Sequence, residues 1–340
     1  MHRSEITIDL AAARRNVRTL LDRLGGAQLW AVVKANAYGH GASDIAGAAL
    51  GAGASALCVA TVPEALALRR EFPAARIIAM GPALDREVGQ AREARIELVV
   101  SSEEVPPGVR VHLKLDTGMG RWGVAELTSA PALEVVGLMS HLATADTDSA
   151  YAEWQISRFQ AATAPYTHLE RHIANSAAAL RYPSAAFDAA RCGIAVLGLS
   201  PFGTDPSEDG LQPVLGWTSH VAESKLLRRE ESTGYGRRFV AERDTWIGIV
   251  PAGYADGFRR ELTGTKVRVG GEPRRVIGTV SMDAFAVELA EEVPVGTPVV
   301  LVGPGVLVEE HARIANTIPH DLVCRINSDP TRARRVVVDG

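Results

Sequence analysis

The chain has 340 residues, 46% of them apolar, enough for one large domain plus a smaller one. Its 36 Lys and Arg stand against 40 Asp and Glu, a formal net charge of −4 that argues against nucleic acid or a membrane surface as partner. No apolar run reaches the length of a membrane span, residues 1–10 lack a signal-peptide core, and Cys58, Cys192 and Cys324 are too few and too scattered for a disulfide framework or a metal site, so a soluble cytoplasmic protein is expected.

In chain order, apolar runs at 29–35, 56–60, 76–80, 96–101 and 111–115 are followed by others at 135–141, 172–175 and 194–199. Helical patterns lie between them, such as 61–72 with Ala65, Leu66 and Leu68, and 152–162 with Trp154, Ile156 and Phe159. Eight strands alternating with helices predict an α/β fold, a (β/α)8 TIM barrel with its chemistry at the carboxyl ends of the strands. A doubly wound open sheet is the structural rival.

The first run leads into V-V-K-A-N-A-Y-G-H-G at 32–41, and Ala42, Ile45, Ala46 and Ala49 then repeat at helical spacing. Lys34 is therefore expected at the carboxyl end of a buried strand, where an ammonium is costly unless it is paired or deprotonated. A lysine of lowered pKa is a good amine nucleophile toward carbonyl cofactors. The plainer alternative is a strand-end lysine that extends to solvent.

Beyond about residue 204 the texture changes. Segment 205–213 is acidic and proline-containing and reads as a linker, and alternating strands follow at 216–222, 245–249, 266–269, 275–280, 284–289 and 298–302. Gly270-Gly271 marks the clearest turn and 309–317 a short helix. The expected organisation is a barrel over 8–209 and a mostly-β C-terminal domain over 210–340, with residues 1–7 pairing with the latter.

Polar residues recur at the ends of the barrel strands. Lys34 ends the first, 114–121 (K-L-D-T-G-M-G-R) the fifth, Ser140-His141 the sixth and Asn175-Ser176 the seventh, while Arg191-Cys192-Gly193-Ile194 is read as opening the eighth. Singly, each has an ordinary explanation: His141 as a satisfied core histidine, Asn175-Ser176 as a helix cap. Together they predict a polar mouth.

The ordered motifs A-V-V-K-A-N-A-Y-G-H-G, K-L-D-T-G-M-G-R-W-G, S-H-L-A-T-A-D, A-N-S, R-C-G-I-A-V-L-G-L-S-P, G-Y-G-R, P-A-G-Y-A-D-G and S-M-D make the chain similar to the alanine racemase family over nearly its whole length. The resemblance implies pyridoxal 5′-phosphate as cofactor and alanine as substrate. It also implies a two-base interconversion that supplies D-alanine for peptidoglycan, and a homodimer whose active sites are shared between subunits. It implies no metal. By motif, Lys34 corresponds to the lysine that bonds the cofactor and serves as one base, and Tyr235 to the opposite base, contributed by the other subunit. Tyr38, His141, Asn175, Ser176, Arg191, Gly193 and Ile194 are implied around the cofactor. Arg191 stands in the place of a pyridine-nitrogen partner that cannot readily give up its proton, which keeps the ring a weak electron sink. Arg121, Met282, Tyr254 and Asp283 are implied around the substrate, and Lys114 matches a position carbamylated in some members. Two places depart from the family pattern. Leu197 replaces a usual Tyr, and Ser328 falls where a Tyr normally narrows the pocket, an opening that favours a broader racemase accepting serine as the alternative. A PLP carrier or inactive paralogue is the non-enzymatic alternative, and a decarboxylase of related fold is disfavoured because its ring-nitrogen partner would be an acid.

Overall fold

A computed structural model describes residues 2–127 and 132–340. The chain divides into two units: one comprises Ala13–Phe202 and Asp209–Gln212, the other the residues up to Ala12, Gly203–Glu208 and Pro213–Gly340. The first strand, β1 (Glu5–Asp9), belongs to the second unit.

The first unit is built on β2 (Gln28–Val32), β3 (Ala56–Val59), β4 (Ile77–Ala79), β5 (Glu97–Val100), β6 (Val111–Lys114), β7 (Val135–Met139), β8 (Glu170–His172) and β9 (Ala189–Cys192). Each is short, and most are buried on both faces, as strands of a parallel sheet covered by helices must be. They pair in parallel in the order β8-β7-β6-β5-β4-β3-β2-β9. The seam between β8 and β9 is bridged by Asp188 N–H donating to Arg171 C=O and Arg191 N–H to Ala174 C=O, both at 3.0 Å. The result is a nearly closed eight-stranded barrel, as expected, with every strand's carboxyl end at one mouth.

One strand is corrected. Segment 194–199 is not the eighth strand but a run of buried turns, in which Gly198 N–H donates to Ala195 C=O at 3.0 Å. The eighth strand is Ala189–Cys192, so Arg191 lies near the close of a strand rather than at its opening. Gly193 precedes and Gly198 interrupts the apolar run that reads as a strand in sequence, and Gly198 takes φ 71°.

The second unit is organised around one nine-stranded sheet. Its members are β1, β10 (Leu215–His220), β11 (Glu223–Leu227), β14 (Thr245–Val250), β15 (Lys266–Val269), β16 (Glu272–Ile277), β17 (Phe285–Leu289), β18 (Pro298–Val302) and β19 (Arg334–Val338), and β12 (Ser232–Thr233) pairs separately with β13 (Phe239–Val240). β1 lies antiparallel to β10, Ile6 opposite Trp217, and parallel to β19, Ile6 opposite Arg335. The core of this unit includes Phe258 stacked on Phe285 at 4.2 Å, with His311 edge-on at 6.0 Å. Among the described residues no helix is long and apolar enough to cross a membrane.

Candidate active site

β2 ends at Val32, and the half-buried Lys34 follows two residues later, after Val33 and outside the strand. The backbone then does something costly. Ala35, Asn36, Ala37 and Tyr38 take φ of 51°, 55°, 51° and 54°, a left-handed turn made without glycine. Each such residue costs roughly 1–2 kcal/mol in a chain of L-amino acids. The turn is closed by Ala37 N–H to Val33 C=O at 2.9 Å and Gly39 N–H to Ala35 C=O at 3.0 Å. Outside groups hold it too: Ala35 N–H donates to Glu64 Oε1 at 2.7 Å, and Asn36 Oδ1 accepts from Ala42 N–H at 2.8 Å. Strain of this kind persists only where the surroundings over-determine it. Lys34 Nζ lies 5.9 Å from the centre of the Tyr38 ring.

Tyr38 meets the β9 end of the mouth. A Cβ at Gly193 would fall 2.4 Å from its hydroxyl, so only glycine fits there. Gly193 N–H and Ala195 N–H both donate to Ser176 Oγ, at 3.1 and 3.3 Å. Asn175 spends its Oδ1 capping the helix Ser176–Arg181, accepting from Ala178 N–H at 3.0 Å. Ile194 is buried, its carbonyl accepting from Leu199 N–H.

Arg191 is buried in the barrel, and the acceptors it meets are neutral. Its Nη1 donates to His172 Nδ1 at 2.6 Å and to the His172 carbonyl at 3.0 Å; its Nη2 donates to the Ser140 carbonyl at 2.8 Å and to His141 Nδ1 at 3.3 Å. Burial lowers its pKa from 12.5 to about 10. Because a guanidinium only donates, His172 Nδ1 must be an acceptor, and the remaining tautomers follow. His172 Nε2–H donates to His112 Nδ1 at 2.9 Å, and His112 Nε2–H to Glu97 Oε2 at 2.9 Å. Burial and the nearby Arg191 push His141 and His172 well below the usual imidazole range, so both are neutral at pH 7. Burial would raise the Glu97 carboxyl, but hydrogen bonds from His112 and Arg76 overcome this and hold it at about 2. A directed polar chain thus crosses the barrel interior from a cation to an anion. The strand residues His112, His172 and Glu97 were missed in sequence. The available signal was Gly137 on β7, where a Cβ would fall 2.2 Å from His112 Nδ1.

Lys114 closes β6 and is buried. Burial and the repulsion of Arg121 and Arg191 lower its pKa to about 8, with Asp116 opposing. Its Nζ lies 5.4 Å from the Trp122 ring centre and the Arg121 guanidinium 5.0 Å from the same ring. The loop carrying Arg121 is gathered by Asp116, whose carboxylate accepts from Gly118 N–H at 2.9 Å and Gly120 N–H at 3.0 Å. Gln155, also unforeseen, donates to the His141 carbonyl at 3.2 Å. Lys34, Lys114, Arg121 and Arg191 all act electrostatically on His141, so the barrel gathers these residues at one mouth.

The remaining residues form a second group, on loops of the β unit. Tyr235 follows Gly234, where a Cβ would meet Thr279 N at 2.9 Å, and the Tyr235 carbonyl accepts from Thr279 Oγ1 at 2.8 Å. Tyr254 N–H donates to Ser281 C=O at 3.1 Å and Ala255 N–H to Met282 C=O at 3.0 Å, tying the G-Y-A-D and S-M-D loops together. The Asp283 carboxylate is engaged by Arg332 at 2.8 Å, and Arg332 also holds Asp256 at 2.8 Å. Asn327 Nδ2–H donates to the Ala255 carbonyl at 3.1 Å, which brings the half-buried Ser328 beside the same loop. Tyr235 is 72% exposed, Met282 53% and Tyr254 46%. A cavity of about 800 Å³ is lined by Tyr235, Tyr254, Arg259, Arg260, Glu261 and Arg325.

Comparison with known proteins bears on the family of the chain. Residues 8–201 match the family model for the alanine racemase N-terminal domain and residues 214–336 that for the C-terminal domain. The chain is 40% identical to alanine racemase 1 of Bacillus subtilis, over 94% of this chain and 90% of that one. Among solved structures, alanine racemase from D-cycloserine-producing Streptomyces lavendulae superposes with a TM-score of 0.92 at 37% identity, covering 100% of this chain and 98% of the other. Alanine racemase from Bartonella henselae, solved with covalently bound pyridoxal phosphate, superposes with a TM-score of 0.90 at 27% identity, covering 98% and 99%. The chain belongs to the alanine racemase family.

Proposed function

We propose that this protein interconverts L- and D-alanine with pyridoxal 5′-phosphate, through two bases on opposite faces of the substrate α-carbon. The carrying observation is the barrel mouth, where an amine, a glycine-floored niche and a buried guanidinium without an acidic partner come together. The niche fits the cofactor. Gly193 lets the Tyr38 hydroxyl come up against its backbone, the turn at 193–195 gathered on Ser176 Oγ suits a phosphate, and Arg191 offers a ring nitrogen a donor that holds its proton.

Lys34, Tyr38, His141, Ser176, Arg191, Gly193 and Ile194 would hold the cofactor, with Asn175 shaping the turn by capping the helix that carries Ser176. When bound, the cofactor supplies an electron sink that acidifies the substrate α-hydrogen. Lys34 Nζ takes or returns that proton on one face, and Tyr235 of the partner subunit does so on the other. His141, neutral beside Arg191, is suited to hold the tyrosine hydroxyl by a hydrogen bond. Arg121 and the Met282 N–H bind the substrate carboxylate, while Tyr254 and the loop braced by Asp283 line the approach.

A homodimer is part of the proposal, because Tyr235, Met282 and Tyr254 are exposed in the single chain. A carrier role would leave Arg121 and Tyr235 without a task. The three cysteines, none in a disulfide, suit the reducing cytoplasm. The test is reduction with borohydride followed by peptide mass spectrometry, with racemisation measured in parallel. Cofactor fixed on Lys34, and a Lys34→Ala variant that neither fixes it nor racemises alanine, is the expected result; fixation on another lysine overturns the assignment.

A further inference from the structure

We propose that Glu64 is a positioning residue for Lys34: its carboxylate fastens the strained left-handed turn to the end of β3 and so fixes the direction of the amine. The inference rests on the reading of Lys34 as the cofactor-bonding base.

One carboxylate serves three backbone donors. Oε1 accepts from Ala35 N–H at 2.7 Å, the residue directly after Lys34, while Oε2 accepts from Ala60 N–H at 2.8 Å and Thr61 N–H at 3.1 Å. The last of these belongs to an ordinary helix start, since Thr61 Oγ1 accepts from Glu64 N–H in a reciprocal cap of the helix Val62–Glu71. The bond to Ala35 does not. It crosses 29 positions of sequence and ends on the first of four residues in a conformation that alanine, asparagine and tyrosine rarely adopt. Beside it, a cavity of about 290 Å³ lined by Val33, Asn36, Ala42, Val59, Glu64 and Leu68 leaves the turn room to relax. On that side the backbone is held less by packing than by this carboxylate and by the bond from Ala42 N–H to Asn36 Oδ1.

The chemistry of the acceptor matters. A carboxylate has two charged oxygens, enough for all three donors. An amide has one oxygen and turns an NH2 toward the remaining N–H groups. Glu64→Gln therefore breaks either the bond to Ala35 or the bonds at the helix start. Thr61→Ala weakens the helix start alone and leaves Ala35 untouched.

The experiment compares the full-length wild type, Glu64→Gln and Thr61→Ala as isolated with cofactor. Backbone amide exchange is followed at residues 33–41 and 61–71, together with the rate at which hydroxylamine strips the bound cofactor. The expected result is that Glu64→Gln exchanges roughly tenfold faster at 33–41 and releases cofactor roughly tenfold faster, the scale of one charge-assisted hydrogen bond. Thr61→Ala should change exchange only at 61–71. Equal behaviour of the two variants at 33–41 and toward hydroxylamine reduces Glu64 to a helix cap and overturns the proposal. If Glu64→Gln does not accumulate as folded protein, Glu64→Asp, which keeps the charge but shortens the reach to Ala35, takes its place with the same expectations. Wild type that holds no cofactor on Lys34 overturns the functional reading instead, and exchange at 33–41 still decides whether Glu64 holds the turn.

Discussion

At the scale of single residues, Lys114 is a side chain whose surroundings oppose its usual charge. It is buried, two guanidinium groups repel it, and Asp116 compensates only partly, so its pKa falls to about 8 from an ordinary 10.5. The unfolded chain then binds the proton that the folded chain has released between these values. Stability contributed by this residue rises with pH across that window, and below it the full penalty is present. At about 1.4 kcal/mol per unit the penalty is on the order of a few kcal/mol. Lys114→Met should therefore unfold at a higher temperature than wild type at pH 7, the gap closing toward pH 10. We propose that carbon dioxide relieves the same strain. An amine that is partly neutral near pH 8 can add to the carbon of carbon dioxide, the C=O electron pair moving onto oxygen and one proton leaving the nitrogen for water, so that a carbamate anion replaces the repelled cation beside Arg121. Added bicarbonate should then raise the thermal midpoint of wild type at pH 8 and leave Lys114→Met unmoved. Equal response of the two proteins to bicarbonate would exclude Lys114 as the site.

At the scale of elements, periodicity revealed the strands because parallel strands covered on both faces are apolar throughout, and strand β3 lies within one residue of its expectation. It failed where apolar character has another source. Segment 194–199 is apolar because it is buried, yet its backbone turns. β11 was missed because its charged residues face solvent in an alternation too short to stand out, and β19 because it opens with two arginines. The left-handed turn after Lys34 was illegible for a different reason: A-N-A-Y contains no glycine, and tertiary bonds from Glu64 and Asn36 impose the conformation. Motif order located most mouth residues, whereas the Glu97–His112–His172 chain lies inside strands, where a polar residue gives no hint of its partner. That chain makes a stability prediction. The Glu97 carboxyl sits at about 2 in the folded protein against an ordinary 4.5, so its contribution is complete above pH 4.5 and is lost as pH falls toward 2. Glu97→Gln keeps an acceptor for His112 but takes its carboxylate from Arg110 and leaves Arg76 paired with Glu170 alone. Urea unfolding at pH 6 should show a deficit of roughly 3 kcal/mol for the variant. The deficit should shrink steadily below pH 4.5; one that persists unchanged to pH 3 would assign the loss to packing.

At the scale of the whole molecule, the residues implied for one reaction fall into two groups on two compact units. The barrel carries Lys34, Arg121, His141 and Arg191, and the β unit carries Tyr235, Tyr254 and Met282. The β-unit group is exposed in the single chain, and so are Trp122 and Trp154 on the barrel, at 44% and 48%. Apolar surface left open on both units is what an interface between copies requires. If each site takes its barrel group from one subunit and Tyr235 from the other, two inactive variants can repair each other. A Lys34→Ala dimer lacks the amine in both sites, and a Tyr235→Phe dimer lacks the phenol in both, a loss of about 10²–10⁴ in rate. In a hybrid dimer one site pairs the intact Lys34 of one chain with the intact Tyr235 of the other, and the second site carries both lesions. Random exchange of equal amounts makes half the dimers hybrid with one working site in two, so mixing should restore roughly a quarter of wild-type activity. Recovery should track the fraction of hybrid measured by native mass spectrometry with one chain isotopically labelled. Hybrid dimers that form without regaining activity would mean that each site is completed within its own chain.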